Sequence, residues 1–131
     1  ELMPRIVALR DALSPKTRLI GNGDVRTDAE GRARIAASGC DGVMIGRGIF
    51  GNPWVFAERE PSPQERIAAL SEHIALFDEL LGGVVGFATM KKHFKAYIHG
   101  WDHAKDLSAI LMSADTAAEA LAVLAQVEVV Q

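Results

Sequence analysis

Two short apolar runs, each passing straight into a glycine loop, most constrain what this chain can fold into. Arg18-Leu19-Ile20-Gly21 leads without a spacer into Asn22-Gly23-Asp24. Gly42-Val43-Met44-Ile45 leads into Gly46-Arg47-Gly48. The second run is apolar on both faces, the pattern of a parallel strand covered on both sides. One helical stretch lies between the runs. Thr27 and Glu30 have capping-box spacing at its start, Ala33, Ile35, Ala36 and Ala37 fill it, and Gly39 suits its C-terminal stop. Another helix precedes the first run. It has Leu2, Ile6, Leu9 and Leu13 at helical spacing, Pro4 in its first turn and Ser14-Pro15 at its end. The order helix, strand, helix, strand is that of an α/β layer or barrel.

The pattern changes at Pro61-Ser62-Pro63. Ser62, Pro63 and Glu65 read as the cap, first position and box partner of a long helix. Ile67, Leu70, Ile74, Phe77 and Leu81 give that helix one apolar face. Gly82-Gly83-Val84-Val85-Gly86 interrupts it. A helical stretch then covers Phe87 to His99, and Gly100-Trp101 breaks it. Asp102 is placed to cap the next helix, with Leu107, Ile110 and Leu111 inward. Thr116 and Glu119 box a last helix carrying Leu121 and Leu124. A weak strand pattern, Val127-Glu128-Val129-Val130, follows. The expected fold is α/β followed by all-α, with the division near Glu60, giving regions 1–60 and 61–131.

Composition sets limits on function. The chain has 131 residues, 49% hydrophobic and 24% charged, so it can build a core and does not read as disordered. The net charge of −3 gives no whole-molecule attraction to nucleic acid, so any RNA contact must come from a local patch. Cys40 is the single cysteine, which excludes a disulfide framework or cysteine zinc cluster and points to a reducing, cytoplasmic setting. The nearly uncharged stretch Leu80–Met90 is too short and glycine-broken for a membrane span. The histidines show no ligand spacing with carboxylates, so no metal site is expected. The sequence opens inside a helical pattern and reads as a piece of a longer protein.

The glycine loops invite a ligand. A phosphate needs several N–H donors converging on it without side chains in the way, and glycines at the end of a strand allow that approach. In (β/α)8 barrels such a site is built by the loops after the last two strands. Here Asn22, Gly23 and Asp24 follow one strand, and Gly46 and Arg47 follow the next. The Arg47 guanidinium can hold phosphate oxygens by paired hydrogen bonds, and Asn22 can donate its amide. Alone, Gly21 to Asp24 could be only a tight turn and a cap, and Arg47 only a surface ion pair. The pairing of the two loops favours phosphate. Asn52-Pro53 suits a further helix start, and Trp54 and Phe56 could either cover a ligand edge or pack between elements.

On a helix from Phe87 to His99, Met90, Phe94, Tyr97 and Ile98 share one face. Lys91, Lys95 and His99 form a stripe on another, with Lys92 beside it and His93 at the border. A basic stripe can contact successive phosphates of RNA, and it can equally be a solvated helix face. Trp101 could stack on a base or anchor packing.

Taken in order, "IGNGDV", "GCDGVMIGRG" and "GNPW" resemble the last barrel units of the tRNA-dihydrouridine synthases. "MKKHFKAYIHG" resembles a stretch of that family's C-terminal helical domain. The resemblance runs from about Leu2 to Leu124. It implies the end of a (β/α)8 TIM barrel followed by a small helical bundle that binds tRNA. It implies a flavoenzyme that reduces uridine in tRNA to 5,6-dihydrouridine with FMN and NADPH. The family's FMN-phosphate contacts fall on Asn22, Gly23, Asp24, Gly46 and Arg47, and the lysines become tRNA contacts together with His93. The family's catalytic cysteine and flavin-side lysine lie upstream; Cys40 does not match that cysteine and reads as a buried structural residue. The stretch alone is therefore expected to be inactive, and its open barrel edge to self-associate or be locally unstable. Two rivals remain: the end of another FMN barrel oxidoreductase acting on a small molecule, and a non-catalytic RNA-binding module.

Overall fold

In the computed structural model, which describes residues 2–57 and 59–127, the chain forms two compact units. The first holds the residues up to Ile49 together with Pro53–Arg59. The second holds Phe50–Asn52 and the residues from Glu60 onward. Residues 128–130 of the expected terminal strand lie outside the described residues.

The first unit runs α1 (Met3–Leu13), β1 (Ile20–Asn22), α2 (Asp28–Ser38), β2 (Gly42–Met44), then a 3-10 turn at Arg47–Ile49. The two strands pair in parallel, with Ile20 opposite Gly42, Gly21 opposite Val43 and Asn22 opposite Met44. Both strands are shorter than their apolar runs. Thr27 accepts from the Glu30 amide, and Gly39 takes the left-handed cap with φ 75°. The return arm of the expected box goes one residue further back, because the Glu30 carboxylate accepts from the Arg26 amide at 3.0 Å. Gly31 sits mid-helix for a packing reason: a Cβ there would meet Val43 Cγ2 at 2.9 Å. Two-sided cover of the strands is not seen, since Ile20 is 53% and Met44 55% exposed. No helix starts at Pro53; residues 53–57 form turns, closed by the Ala57 amide on the Trp54 carbonyl.

The second unit contains α3 (Pro63–Leu81), a 3-10 turn at Phe87–Thr89, α4 (Lys91–Tyr97), α5 (Ala104–Ser113) and α6 (Ala117–Ala125). Ser62 and Glu65 make the full capping box at α3. Leu70, Ile74, Met90, Phe94 and Leu111 are fully buried and form the centre of one continuous core, with Trp101 packed against it. The expected Phe87–His99 helix is divided, as a 3-10 turn precedes α4 and Ile98 leaves helical geometry. Asp102 does not cap α5. His103 occupies that position in the left-handed region with φ 62° and makes no side-chain cap bond. Ile110 faces out at 53% exposure, and Leu81 is 44% exposed. The inward face of α5 is Ala104, Leu107, Ser108 and Leu111, spaced by three and four, which turns Ile110 away. Gly51 has φ 69°, and a Cβ on it would collide with the Ala96 carbonyl, so only glycine fits there.

Candidate functional site

In the first unit, Asn22, Gly23, Asp24, Gly46 and Arg47 line one open cleft of about 450 Å³. The parallel pairing creates it, because adjacent strands pointing the same way deliver their following loops to the same end. A Cβ on Gly46 would meet nothing within 4 Å, so the loop backbone is open to the cleft. Gly48 is needed behind it, where a Cβ would lie 2.7 Å from the Val25 carbonyl. Among the described residues, the amides of Gly23, Asp24, Gly46 and Arg47 take no part in turn or cap hydrogen bonds. Asp24 holds a left-handed φ of 47°. The Arg47 guanidinium donates to the Asp24 carboxylate, so one cation and one anion from the two loops meet at the mouth.

A side chain that the motif reading missed braces this cleft. Arg34 donates through Nη1 to the Gly23 carbonyl at 2.6 Å and through Nη2 to Glu30 at 2.6 Å. Glu30 in turn takes the Arg26 amide, which holds its carboxyl below the ordinary range, with Arg34 adding to the effect. Both ends of the loop between β1 and α2 are thus tied to α2. The Glu30–Arg34 spacing of four residues was the available signal. Cys40 is buried, and Ser38 Oγ lies 3.0 Å from its sulfur. Trp54 carries the Arg59 guanidinium over its ring at 5.7 Å.

The four basic candidates of the second unit do not share one exposed face. Lys92 and Lys95 are exposed. Lys91 is only 20% exposed along its side chain and pairs with Asp115 at 3.3 Å. His93 turns into an aromatic cluster, with ring centroids 5.0 Å from His73 and 5.7 Å from Phe50. Tyr97 Oη lies 3.4 Å from His73 Nδ1. Burial pushes both histidines below the ordinary value, and for His93 the neighbouring His73 and Lys92 push the same way. Met90, Phe94, Tyr97 and Ile98 are all buried, as their shared face requires.

Among the described residues no cluster could hold a metal ion, and no helix is long and apolar enough to cross a membrane. A family model described as "Dihydrouridine synthase (Dus)" matches residues 3–131. A protein of Staphylococcus aureus strain N315, named "Probable tRNA-dihydrouridine synthase", is 37% identical over 98% of this chain and 40% of its own length. A Staphylococcus epidermidis protein of the same name is 37% identical over 92% of this chain and 38% of its own. "Probable tRNA-dihydrouridine synthase 2" of Bacillus subtilis strain 168 is 37% identical over 95% and 39%. The chain spans about 40% of the length of these curated relatives.

Proposed function

We infer the function of this chain from two facts: it belongs to the dihydrouridine synthase family, and its two glycine loops line one cleft with an arginine at the mouth. The reading is the C-terminal part of a cytoplasmic tRNA-dihydrouridine synthase, a flavoenzyme that reduces uridine in tRNA with NADPH. The first unit then supplies the last two strand–helix units of a (β/α)8 barrel. The second is the helical part that meets tRNA.

The cleft carries the reading. Its residues fit the phosphate end of FMN, because the amides of Gly23, Asp24, Gly46 and Arg47 in its lining take no part in turn or cap hydrogen bonds among the described residues, and the two glycines bring backbone to it without a side chain. Asn22 adds an amide donor, and Arg47 adds a charge that a dianion can share with Asp24. Bound FMN supplies the redox chemistry. These residues would hold and orient it. The catalytic cysteine is assigned outside this stretch, since Cys40 is buried beside Ser38. For RNA, Lys92 and Lys95 are the accessible candidates, while Lys91 must first leave Asp115 and His93 is held in the ring cluster.

Fluorescence titration of the natural full-length protein with FMN and with riboflavin tests the cleft. FMN is expected to bind much more tightly, because only it carries the phosphate. Equal affinities would overturn the assignment. Reduction of uridine in unmodified tRNA, followed by mass spectrometry, separates this reading from a small-molecule oxidoreductase and from a non-catalytic RNA module.

A further inference from the structure

We propose that the groove formed by the C-terminal end of α4 and the outer side of α5 is an RNA-backbone surface, centred on Lys95, Lys105 and Ser108. The proposal rests on the tRNA reading above and deepens it, because it moves the contact from one helix face to a groove between two helices.

The groove encloses about 670 Å³ and is lined by Lys95, His99 and Lys105 around an apolar floor that includes Ile98, Ala104 and Met112. No carboxylate lines it, on a chain whose formal net charge is −3. Lys95 and Lys105 are both exposed, and among the described residues neither forms an ion pair. This contrasts with Lys91, which Asp115 occupies. Ser108 is 8% exposed and lines the groove, yet its hydroxyl makes no hydrogen bond among the described residues. The other helical serines, such as Ser71 and Ser113, donate to a carbonyl of their own helix. The Ser108 hydroxyl is not among the buried side-chain atoms that lack a partner, so its oxygen reaches solvent in the groove and is free to bond a ligand there.

These features match a sugar–phosphate strand. The two ammonium groups supply counter-charge for phosphates, the hydroxyl supplies a short-range donor, and the apolar floor accepts a ribose or base face. Arg66 donates towards His99 Nε2 at 3.0 Å, which fixes the imidazole ring at one wall. Lys105 is invisible to a search along the "MKKHFKAYIHG" stretch, because it enters from the next helix.

The test is tRNA binding by the natural full-length protein, measured by fluorescence anisotropy across a salt series. Lys105→Ala and Lys95→Ala are each expected to weaken unmodified tRNA several-fold and to lower the salt slope by about one unit. Ser108→Ala is expected to weaken binding without changing the slope, and Lys105→Arg to restore it. Lys16→Ala, an exposed lysine of the first unit, controls for net charge and is expected to behave as wild type. If wild-type protein fails to bind tRNA, the underlying reading falls and the groove with it. If wild type binds but Lys105→Ala matches the Lys16 control, the reading stands and the groove proposal is overturned. A groove that binds polyglutamate, with tRNA affinity unaffected by Lys105→Ala, overturns it in favour of an acidic protein partner.

Discussion

Arg47 donates from its guanidinium to the carboxylate of Asp24, joining the two glycine loops across the cleft that both line. The two side chains are 78% and 64% exposed, so the pair adds little to folding stability. Under the proposed reading the pair bears on the ligand, since among the described residues Arg47 is the one cation that lines the cleft. Arg47→Ala is expected to cost FMN about 1.5–3 kcal/mol of affinity, the worth of a charge-assisted contact, with little change in melting temperature. Asp24→Asn keeps the backbone amide, tolerates the left-handed φ and removes a negative charge from the cleft proposed to take the phosphate. It is expected to bind FMN at least as tightly as wild type. Flavin fluorescence titration reads both, and an unchanged Arg47→Ala affinity would remove Arg47 from the site.

Arg34 acts on the same loop from behind. It ties the Gly23 carbonyl to α2, so its loss should loosen the loop that lines the cleft. Arg34→Ala is expected to reduce the preference for FMN over riboflavin while leaving riboflavin affinity unchanged. Arg34→Lys should recover only part of the effect, because an ammonium cannot bridge Gly23 and Glu30 with a planar fork. A wild-type preference that persists in Arg34→Ala would limit Arg34 to helix stability.

The cleft was legible in the sequence because its determinants are local. Each strand hands its chain directly to a glycine loop, and parallel pairing does the rest. The capping boxes were legible for the same reason. At α6, as at α2, the Glu119 return arm reaches one residue further back, to the Asp115 amide at 2.8 Å. What was not legible depends on partners distant in the chain. Lys91 looked like a member of a stripe, but Asp115 lies 24 residues on and sequence spacing cannot announce it. His93 is drawn in by His73 and Phe50, from two other segments. Ile110 looked inward by composition, and only the angular position of its neighbours Leu107 and Leu111 turns it out.

The histidine pair gives the second unit a pH dependence of known sign. His73 and His93 are both held below 6.5, by burial first and, for His93, by His73 and Lys92. Their neutral forms are favoured in the folded state. The unfolded chain therefore takes up protons first as pH falls, and stability drops below about pH 6.5 while it is complete above. Urea midpoints at pH 7.5 and 5.5 should differ, and the His73→Leu, His93→Leu double variant should lose that difference. The depressed carboxyls act in a separate window. Asp41 is held far below its ordinary value by the Leu19 amide, then Arg10 and Arg18, so its contribution disappears only at much lower pH. A pH dependence unchanged in the double variant would assign the effect to other groups.

The uneven distribution of buried apolar surface leads to a last expectation, for the 131-residue chain on its own. Every member of the continuous core lies in the second unit, from Ile67 to Leu124. The first unit buries Val25, Cys40 and Val55 but leaves Leu2, Leu9, Leu13, Ile20 and Met44 more than half exposed. Its sheet has two strands among the described residues, and a parallel pair is stable only with cover and neighbours. Local opening should therefore be much easier in the first unit than in the second. Amide exchange is expected to be fast at Val43 and Met44 and slow along Ile67 to Phe77. Leu70→Ala, at a fully buried position, is expected to cost about 2–5 kcal/mol of the second unit's stability. Met44→Ala is expected to cost less than about 1 kcal/mol, since its side chain buries little. Sedimentation adds an independent reading: exposed apolar strands favour association of copies, with strand amides becoming protected as concentration rises. A monomer at every concentration whose Val43 amide is as protected as that of Ile74 would show that the strand pair stands without further cover.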